Sequence, residues 1–364
     1  MRIAVYTIAL NEAQFAKRWA DSCKEADLRL VADTGSTDST IADLTAQGVN
    51  VQSIRVSPWR FDHARRQNLD LIPADIDVCI ALDMDEVLLP GWRQALERAW
   101  TPTTNRLRYT YHWTLKDGKP LVTFMGDKIH ARDTHQWRYP AHECLVIKEH
   151  NLEVVTQCPQ LVIEHHPDLA KSRSSYLNLL RTGAHELPGD ARMAHYFGRE
   201  LMFIGQFDAA IAELKRHLSL PSAIWYVERS QSMLYIARCL RDLGRIDEST
   251  TWFLHAGTET WNATGSGWRE PWCELAQMLY DRRDYSGGLW AALRALAIPS
   301  PCPGMHTNAA AFAARPHDIA SICAWHLGAM RLAREQLELA ITHAPSDQRL
   351  IGNRKWMETG TSGT

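Results

Sequence analysis

Short apolar runs near the start of the chain alternate with stretches whose apolar positions recur at helical spacing. Arg2–Thr7 predicts a first strand, and Asn11–Glu25 is polar enough for a surface helix. Leu28–Asp33 predicts a second strand, ending in the turn Thr34–Thr40, which supplies N-cap residues for a helix containing Ile41–Gln47. Val49–Val56 predicts a third strand, Phe61–Leu71 a helix, and Val78–Leu82 a fourth strand. Strands alternating with helices in this way predict a parallel α/β sheet. From Arg106 to His166 the pattern changes to aromatic and β-branched segments, Tyr109–Trp113 being the clearest. These predict mixed or antiparallel strands that complete the sheet, with His130, His135, His142, His165 and His166 on loops between them.

Beyond residue 170 the pattern is helical throughout. Turn signals at Gly205, Gly244 and Arg283 stand 39 residues apart, and a looser copy at Gly328 follows 45 residues later. Each lies between two amphipathic patterns, and Pro221, Pro299 and Pro345 follow the second helix of three units. A fixed period with one helix pair per unit predicts an α-solenoid. The expected organisation is therefore an α/β domain over 1–170, a helical-repeat domain over 171–358, and a frayed tail over 359–364.

Composition narrows the picture. Of 364 residues, 45% are hydrophobic and 23% charged, which fits two domains that each bury a core. No run approaches the roughly 18 apolar residues of a membrane span. A net charge of −2 gives no general drive toward nucleic acid or anionic membrane. Eight scattered cysteines without a CxxC pair argue against a zinc ribbon and suit a reduced, cytoplasmic protein. Of the 14 tryptophans, Trp225, Trp252, Trp261, Trp268, Trp272 and Trp290 fall in the repeats, where inter-helix packing is the expected use of most, and any that line a concave face would make a binding surface.

The chemistry concentrates where the predicted strands end. Asn11 and Glu12 follow the first strand, Asp33 closes the second, and Asp83-Met84-Asp85-Glu86 follows the fourth. In open sheets of this kind ligands bind beyond the carboxyl ends of the strands. Carboxylates there can hold a divalent cation against a diphosphate leaving group, with oxygen ligands suiting Mg²⁺ or Mn²⁺ and an added imidazole favouring Mn²⁺. Asp38 is expected to cap the following helix rather than bind substrate. Gly126-Asp127-Lys128 is expected as a turn, with sugar or acceptor contact as its alternative, and Lys171-Ser172-Arg173 as a helix start or a phosphate clamp.

Four landmarks taken together, Thr7–Glu12, Ala32–Thr40, Phe61–Arg65 and Leu82–Glu86, resemble the family-2 glycosyltransferases with the A-type fold over roughly the first 90 residues. The helical units behind them resemble tetratricopeptide repeats, an arrangement seen in some members of that family. The resemblance implies a nucleotide-diphospho-sugar transferase fold followed by an all-α repeat domain. It implies nucleotide contacts at Thr7, Asn11, Glu12, Asp33, Arg65 and Asp83, and a metal ligand at Asp85. Arg66 departs from the pattern, since Asn is common there. Tyr139–Leu145 resembles a segment that approaches the sugar from the acceptor side, which marks Glu143 as the candidate base and leaves it a structural ion pair as its alternative. His142 and His165 are rival sources of a metal-binding imidazole, His165 being slightly preferred.

The expected function is transfer of a sugar from a nucleotide-diphosphate donor, a UDP-sugar being the family's commonest, by inverting single displacement with Mn²⁺ or Mg²⁺. A peptide, a glycan or a modified nucleic acid are open as acceptor. Two other classes compete: a non-catalytic repeat scaffold that binds a peptide or protein, and a sugar-nucleotide hydrolase or nucleotidyltransferase. The last would show a Gly-rich basic loop after the first strand, and Thr7–Glu12 has none.

Overall fold

The computed structural model describes residues 1–168, 176–302, 304–305 and 307–359. They fall into two compact units, Met1–Glu186 and Leu187–Thr364. Lys171-Ser172-Arg173 and positions 360–364 lie outside the described residues.

The first unit runs β1 (Ile3–Ala9), α1 (Ala13–Ser22), β2 (Leu28–Asp33), α2 (Thr40–Ala46), β3 (Asn50–Ser53), α3 (Phe61–Asp70), β4 (Val78–Ala81), β5 (Glu86–Leu88), α4 (Trp92–Ala99), β6 (Arg106–Lys116), β7 (Lys119–Ala131), β8 (His135–Arg138), β9 (Cys144–Ile147), β10 (Val155–His165) and α5 (Tyr176–Glu186). Eight strands form one sheet in the order β3-β2-β1-β4-β7-β6-β10-β5, and β8 pairs with β9 apart from it. The first four are mutually parallel, β7 is antiparallel to β4 and β6, and β10 runs parallel to β6.

Strands β1, β2 and β4 read as mainly apolar runs because both of their faces are covered, whereas the edge strand β3 is largely exposed. Side chains alternate across a strand, so Ile3, Val5, Val31, Val78 and Ile80 join Phe15, Trp19, Trp92 and Leu96 in one core. Ala4, Tyr6, Leu30, Cys79 and Ala81 pack on the other face with Leu69, Ile72 and Trp137. Each large side chain buried in this way contributes about 1.5–3 kcal/mol.

Three expectations need correction. His130, His135 and His165 lie on β7, β8 and β10 rather than on loops, because the ladders extend through them. Gly126-Asp127-Lys128 is inside β7 and not a turn; the reversal comes earlier, at Asp117 and Gly118, both at positive φ. The first unit ends after Glu186 and not at 170. Its helix α5 is held by Tyr176, whose ring lies 5.8 Å from that of Phe61, and by Glu186, which accepts from Arg60 at 2.7 and 2.9 Å.

The second unit is helical: α6 (Ala191–Phe203), α7 (Phe207–Ser219), α8 (Tyr226–Asp242), α9 (Ile246–Thr264), α10 (Arg269–Asp281), α11 (Tyr285–Leu296), α12 (Ala314–His326), α13 (Met330–His343) and α14 (Gln348–Thr359), with one 3₁₀ turn at Ala309–Phe312. The recurring turn signals are the connections within successive helix pairs. Gly205, Gly244, Arg283 and Gly328 occupy equivalent places with φ of 76°, 74°, 62° and 73°. Left-handed backbone ends the first helix of each pair, and glycine takes it without steric penalty. The tryptophans divide: Trp268 and Trp272 are buried, whereas Trp225, Trp261 and Trp290 are about half exposed. No helix among the described residues is long and apolar enough to cross a membrane, and Cys23, Cys79, Cys158, Cys239, Cys273 and Cys323 are free thiols.

Candidate functional site

The chain leaves β1 toward β2 and β3 on one side and then crosses to β4 on the other. This reversal opens a crevice at the carboxyl ends of β1 and β4, the place where open α/β sheets bind ligands. Residues from both sides of the reversal line up there.

On the β2 side, Asp33 is buried, and its Oδ2 accepts from the Gly35 and Ser36 amides at 2.9 and 3.0 Å. Its other oxygen, Oδ1, is buried without a hydrogen-bond partner. Asn11, at φ 55°, donates its amide to Ser36 Oγ (2.9 Å) and accepts from the Thr37 amide (2.8 Å). The Glu12 amide donates to Thr40 Oγ1 at 2.7 Å. Thr7 is buried, and its carbonyl accepts from Asn68 Nδ2 at 2.6 Å. Asn11 and Glu12 thus brace the two strand-end turns against each other. Asp38 accepts from the Thr40 amide at the start of α2 and from the Ala13 amide at the start of α1, so it serves both helix N-termini.

Arg65, on α3, is the centre of the β4 side. Its Nη2 donates to Asp83 Oδ1 at 2.7 Å and its Nε to Glu143 Oε1 at 2.5 Å. The guanidinium lies 4.7 Å from the Trp137 ring centroid, a stacking that suits its planar cation. Nη1 is buried with no partner. Arg66 points elsewhere, donating to the Trp137 carbonyl at 2.7 Å.

Asp83 has a second cation. Lys128 Nζ lies 2.9 Å from its Oδ2 and 2.6 Å from Glu86 Oε1. Glu86 also accepts from Tyr111 Oη at 2.7 Å and from the Asp83 amide at 2.9 Å. Burial opposes the charge on Asp83, but Arg65 and Lys128 together hold its carboxyl well below the usual range. Burial pushes Glu86 the other way, upward, in spite of Lys128. The two carboxylates share one ammonium, and Asp83 keeps its charge the more firmly.

Asp85 stands apart from this network. Its Oδ2 lies 3.4 Å from His165 Nε2, and the other ring nitrogen of His165 lies 3.0 Å from the Trp113 carbonyl. Burial works against the imidazolium, yet the bond to Asp85 and its charge raise the His165 pKa. The ring is further held by stacking on Tyr111, at 6.2 Å. Among the described residues no three His, Cys, Asp or Glu side chains converge as a metal cage. A Mg²⁺ or Mn²⁺ that binds with substrate phosphates needs only one or two protein ligands, and Asp85 with His165 fits that requirement. His142, at φ 51°, has its ring 5.4 Å from Tyr176.

Of the residues singled out in the sequence, Asp33, Arg65, Asp83, Asp85 and Glu143 are brought to the strand ends. Lys128, marked in the sequence only within a segment expected as a turn or a sugar or acceptor contact, and Tyr111 belong to the same network because β6 and β7 deliver them across the sheet.

The sequence matches no protein-family model and no curated protein. Among solved structures, YrrB, a TPR protein with an unusual peptide-binding site, matches at 14% identity and TM-score 0.39, over 50% of this chain and 84% of that one. MamA matches at 11% identity and TM-score 0.38, over 48% and 91%. Glucosyl-3-phosphoglycerate synthase from Mycobacterium tuberculosis, solved with Mn²⁺, uridine diphosphate and glucosyl-3-phosphoglycerate, matches at 24% identity and TM-score 0.26. That match takes in 30% of this chain and 44% of the synthase, less than half its length. At TM-scores this low the likenesses carry no weight, and function must rest on this chain's own residues.

Proposed function

We propose that the chain is a metal-dependent glycosyltransferase of the A-type fold, with tetratricopeptide-like repeats behind the transferase domain and a nucleotide-diphosphate sugar as donor. The observation that carries this reading is the set of groups at the β1–β4 crevice. It pairs an orphaned acceptor, Asp33 Oδ1, and an orphaned donor, Arg65 Nη1, with the Asp85–His165 couple. A buried polar atom without a partner is expensive, and a nucleotide offers both missing partners: N–H or O–H groups for Asp33 and phosphate oxygen for Arg65.

In this reading Asp33 orients the nucleoside, and Arg65 binds the diphosphate while it keeps Asp83 in place. Asp85 and His165 would hold a divalent cation, which would supply positive charge against the leaving diphosphate. Glu143 takes the acceptor's proton through Oε2, the oxygen that Arg65 does not engage. Attack from the opposite side of the sugar in one displacement inverts the anomeric centre.

Calorimetric titration of uridine diphosphate into the wild type and Asp85→Ala, with and without Mn²⁺, tests the reading. Metal-dependent binding that Asp85→Ala abolishes is the expected result. Failure of the wild type to bind uridine, guanosine and thymidine diphosphates alike would remove the donor site and favour a non-catalytic scaffold.

A further inference from the structure

Lys128 is not a surface lysine that happens to meet a carboxylate. Its Nζ lies 2.9 Å from Asp83 Oδ2 and 2.6 and 2.8 Å from the two oxygens of Glu86. It also lies 6.0 Å from the ring centroid of Tyr111, whose hydroxyl donates to the same Glu86. Burial disfavours the ammonium, but Asp83 and Glu86 raise its pKa, so it is charged at neutral pH. The backbone that delivers it is fixed by close packing at Gly126, where a Cβ would come within 2.5 Å of the Tyr109 ring.

An ammonium seated between two carboxylates fills a place that a divalent cation with oxygen ligands would compete for. Asp83, Asp85 and Glu86 lie within four consecutive residues, and without Lys128 all three carboxylates would attract such a cation. A cation drawn to Asp83 and Glu86 would be pulled off the Asp85–His165 couple and would cancel the Asp83–Arg65 pairing.

We propose that Lys128 is a positioning residue that stands in for a metal ion at the Asp83–Glu86 pair and so confines the catalytic cation to Asp85 and His165. The proposal rests on the donor-site reading above, but its test needs no nucleotide. Mn²⁺ alone is titrated into the full chain, with free Mn²⁺ followed by electron paramagnetic resonance. Lys128→Gln is expected to bind Mn²⁺ about tenfold more tightly than the wild type, the scale on which outer-shell partners move metal affinity. Lys128→Arg should match the wild type, and the double variant Lys128→Gln, Glu86→Gln should lose the gain. If Lys128→Gln folds only marginally, its melting midpoint gives the same answer, because Mn²⁺ should raise it more than it raises the wild type's. Unchanged or weaker Mn²⁺ binding, or equal stabilisation of both proteins, overturns the proposal. Nucleotide binding by the wild type is read separately: its failure removes the donor site, whereas the Mn²⁺ response of Lys128→Gln decides the role of the lysine either way.

Discussion

Nε of Arg65 lies 2.5 Å from Oε1 of Glu143, so the carboxylate marked as a base is at the same time a counterion. The two roles separate under substitution. Glu143→Gln keeps an acceptor for Arg65 and removes the basic oxygen. Its kcat should fall on the order of 10²–10⁴-fold, the usual contribution of a general base, with uridine diphosphate binding nearly unchanged. Steady-state kinetics beside calorimetry checks this, and an equal loss of nucleotide affinity would make Glu143 structural alone.

Arg65 itself should matter to stability as well as to binding. It is nearly buried and bridges Asp83 and Glu143, of which Asp83 is paired with Lys128 as well. Removing one partner of a buried pair leaves an uncompensated charge, which costs about 3–5 kcal/mol. Arg65→Met is expected to lose stability on that scale in urea unfolding and to abolish diphosphate binding. Arg65→Lys keeps the charge but cannot span two carboxylates with one planar fork, so an intermediate loss is expected. A stability within error of the wild type for Arg65→Met would contradict the bridge.

How far these features are legible in the sequence depends on the range of the interactions that make them. The strands β1, β2 and β4 announce themselves because burial on both faces demands unbroken apolar runs, and Val78–Ala81 is wholly buried. Asp33 and Asp85 are then visible as the polar groups that end such runs. The pairing of Lys128 with Asp83 and Glu86 is not legible, for the opposite reason. It follows from the pairing of β7 with β4, where Ile129 stands opposite Ile80, and no local pattern encodes a partner that distant. His130 and His135 read as loop histidines, yet both are fully buried in strands; His130 is matched to Tyr6 Oη at 2.9 Å across the sheet. In the second unit the period is plain, since each helix pair needs a left-handed turn. Which face of a helix stays open depends on neighbouring helices, so the half-exposed Trp225, Trp261 and Trp290 and the buried Trp268 and Trp272 read alike in the sequence.

Gly126 offers a test of how tightly β7 is held. The Tyr109 ring it faces is fully buried and cannot swing aside, and a Cβ would meet three of its atoms at 2.5–2.8 Å. Gly126→Ala is expected to lose about 1–3 kcal/mol, the usual cost of overpacking, and to weaken Lys128's hold on Asp83. Denaturant unfolding of Gly126→Ala beside the Tyr109→Leu double variant checks the cause, because the smaller side chain should recover much of the loss.

Arg283 is the odd member of the repeating turn. It is exposed and sits at φ 62°, where Gly205, Gly244 and Gly328 occupy the equivalent positions. A non-glycine residue in that conformation is strained by roughly 1–2 kcal/mol, offset in part by the freedom that glycine has in the unfolded chain. Arg283→Gly should therefore raise the melting temperature slightly, whereas Gly244→Arg should lower it. A fall in stability for Arg283→Gly would mean that its side chain has a role the turn geometry does not explain.

His217 gives the second unit an acid-sensitive point. It lies on α7, fully buried, with neither ring nitrogen hydrogen-bonded. The His195 ring is 5.4 Å away, and His195 in turn meets Ser232 Oγ at 2.7 Å. Burial first, then the charges of Arg229 and Arg216, lower the His217 pKa from 6.5 to about 4. Between those values the unfolded chain binds the proton and the folded chain does not. The stability contributed by the neutral ring is thus complete above pH 6.5, declines as the pH drops, and is gone below about 4. The loss across that window is on the order of 3 kcal/mol. Urea unfolding at about pH 7.5 and about pH 5 should show a smaller decline for His217→Leu than for the wild type, because leucine has no proton to gain. His130 in the first unit, lowered to about 3 by burial, titrates with the same sign in both proteins and drops out of the comparison. Equal declines in wild type and variant would show that His217 is not the group that titrates.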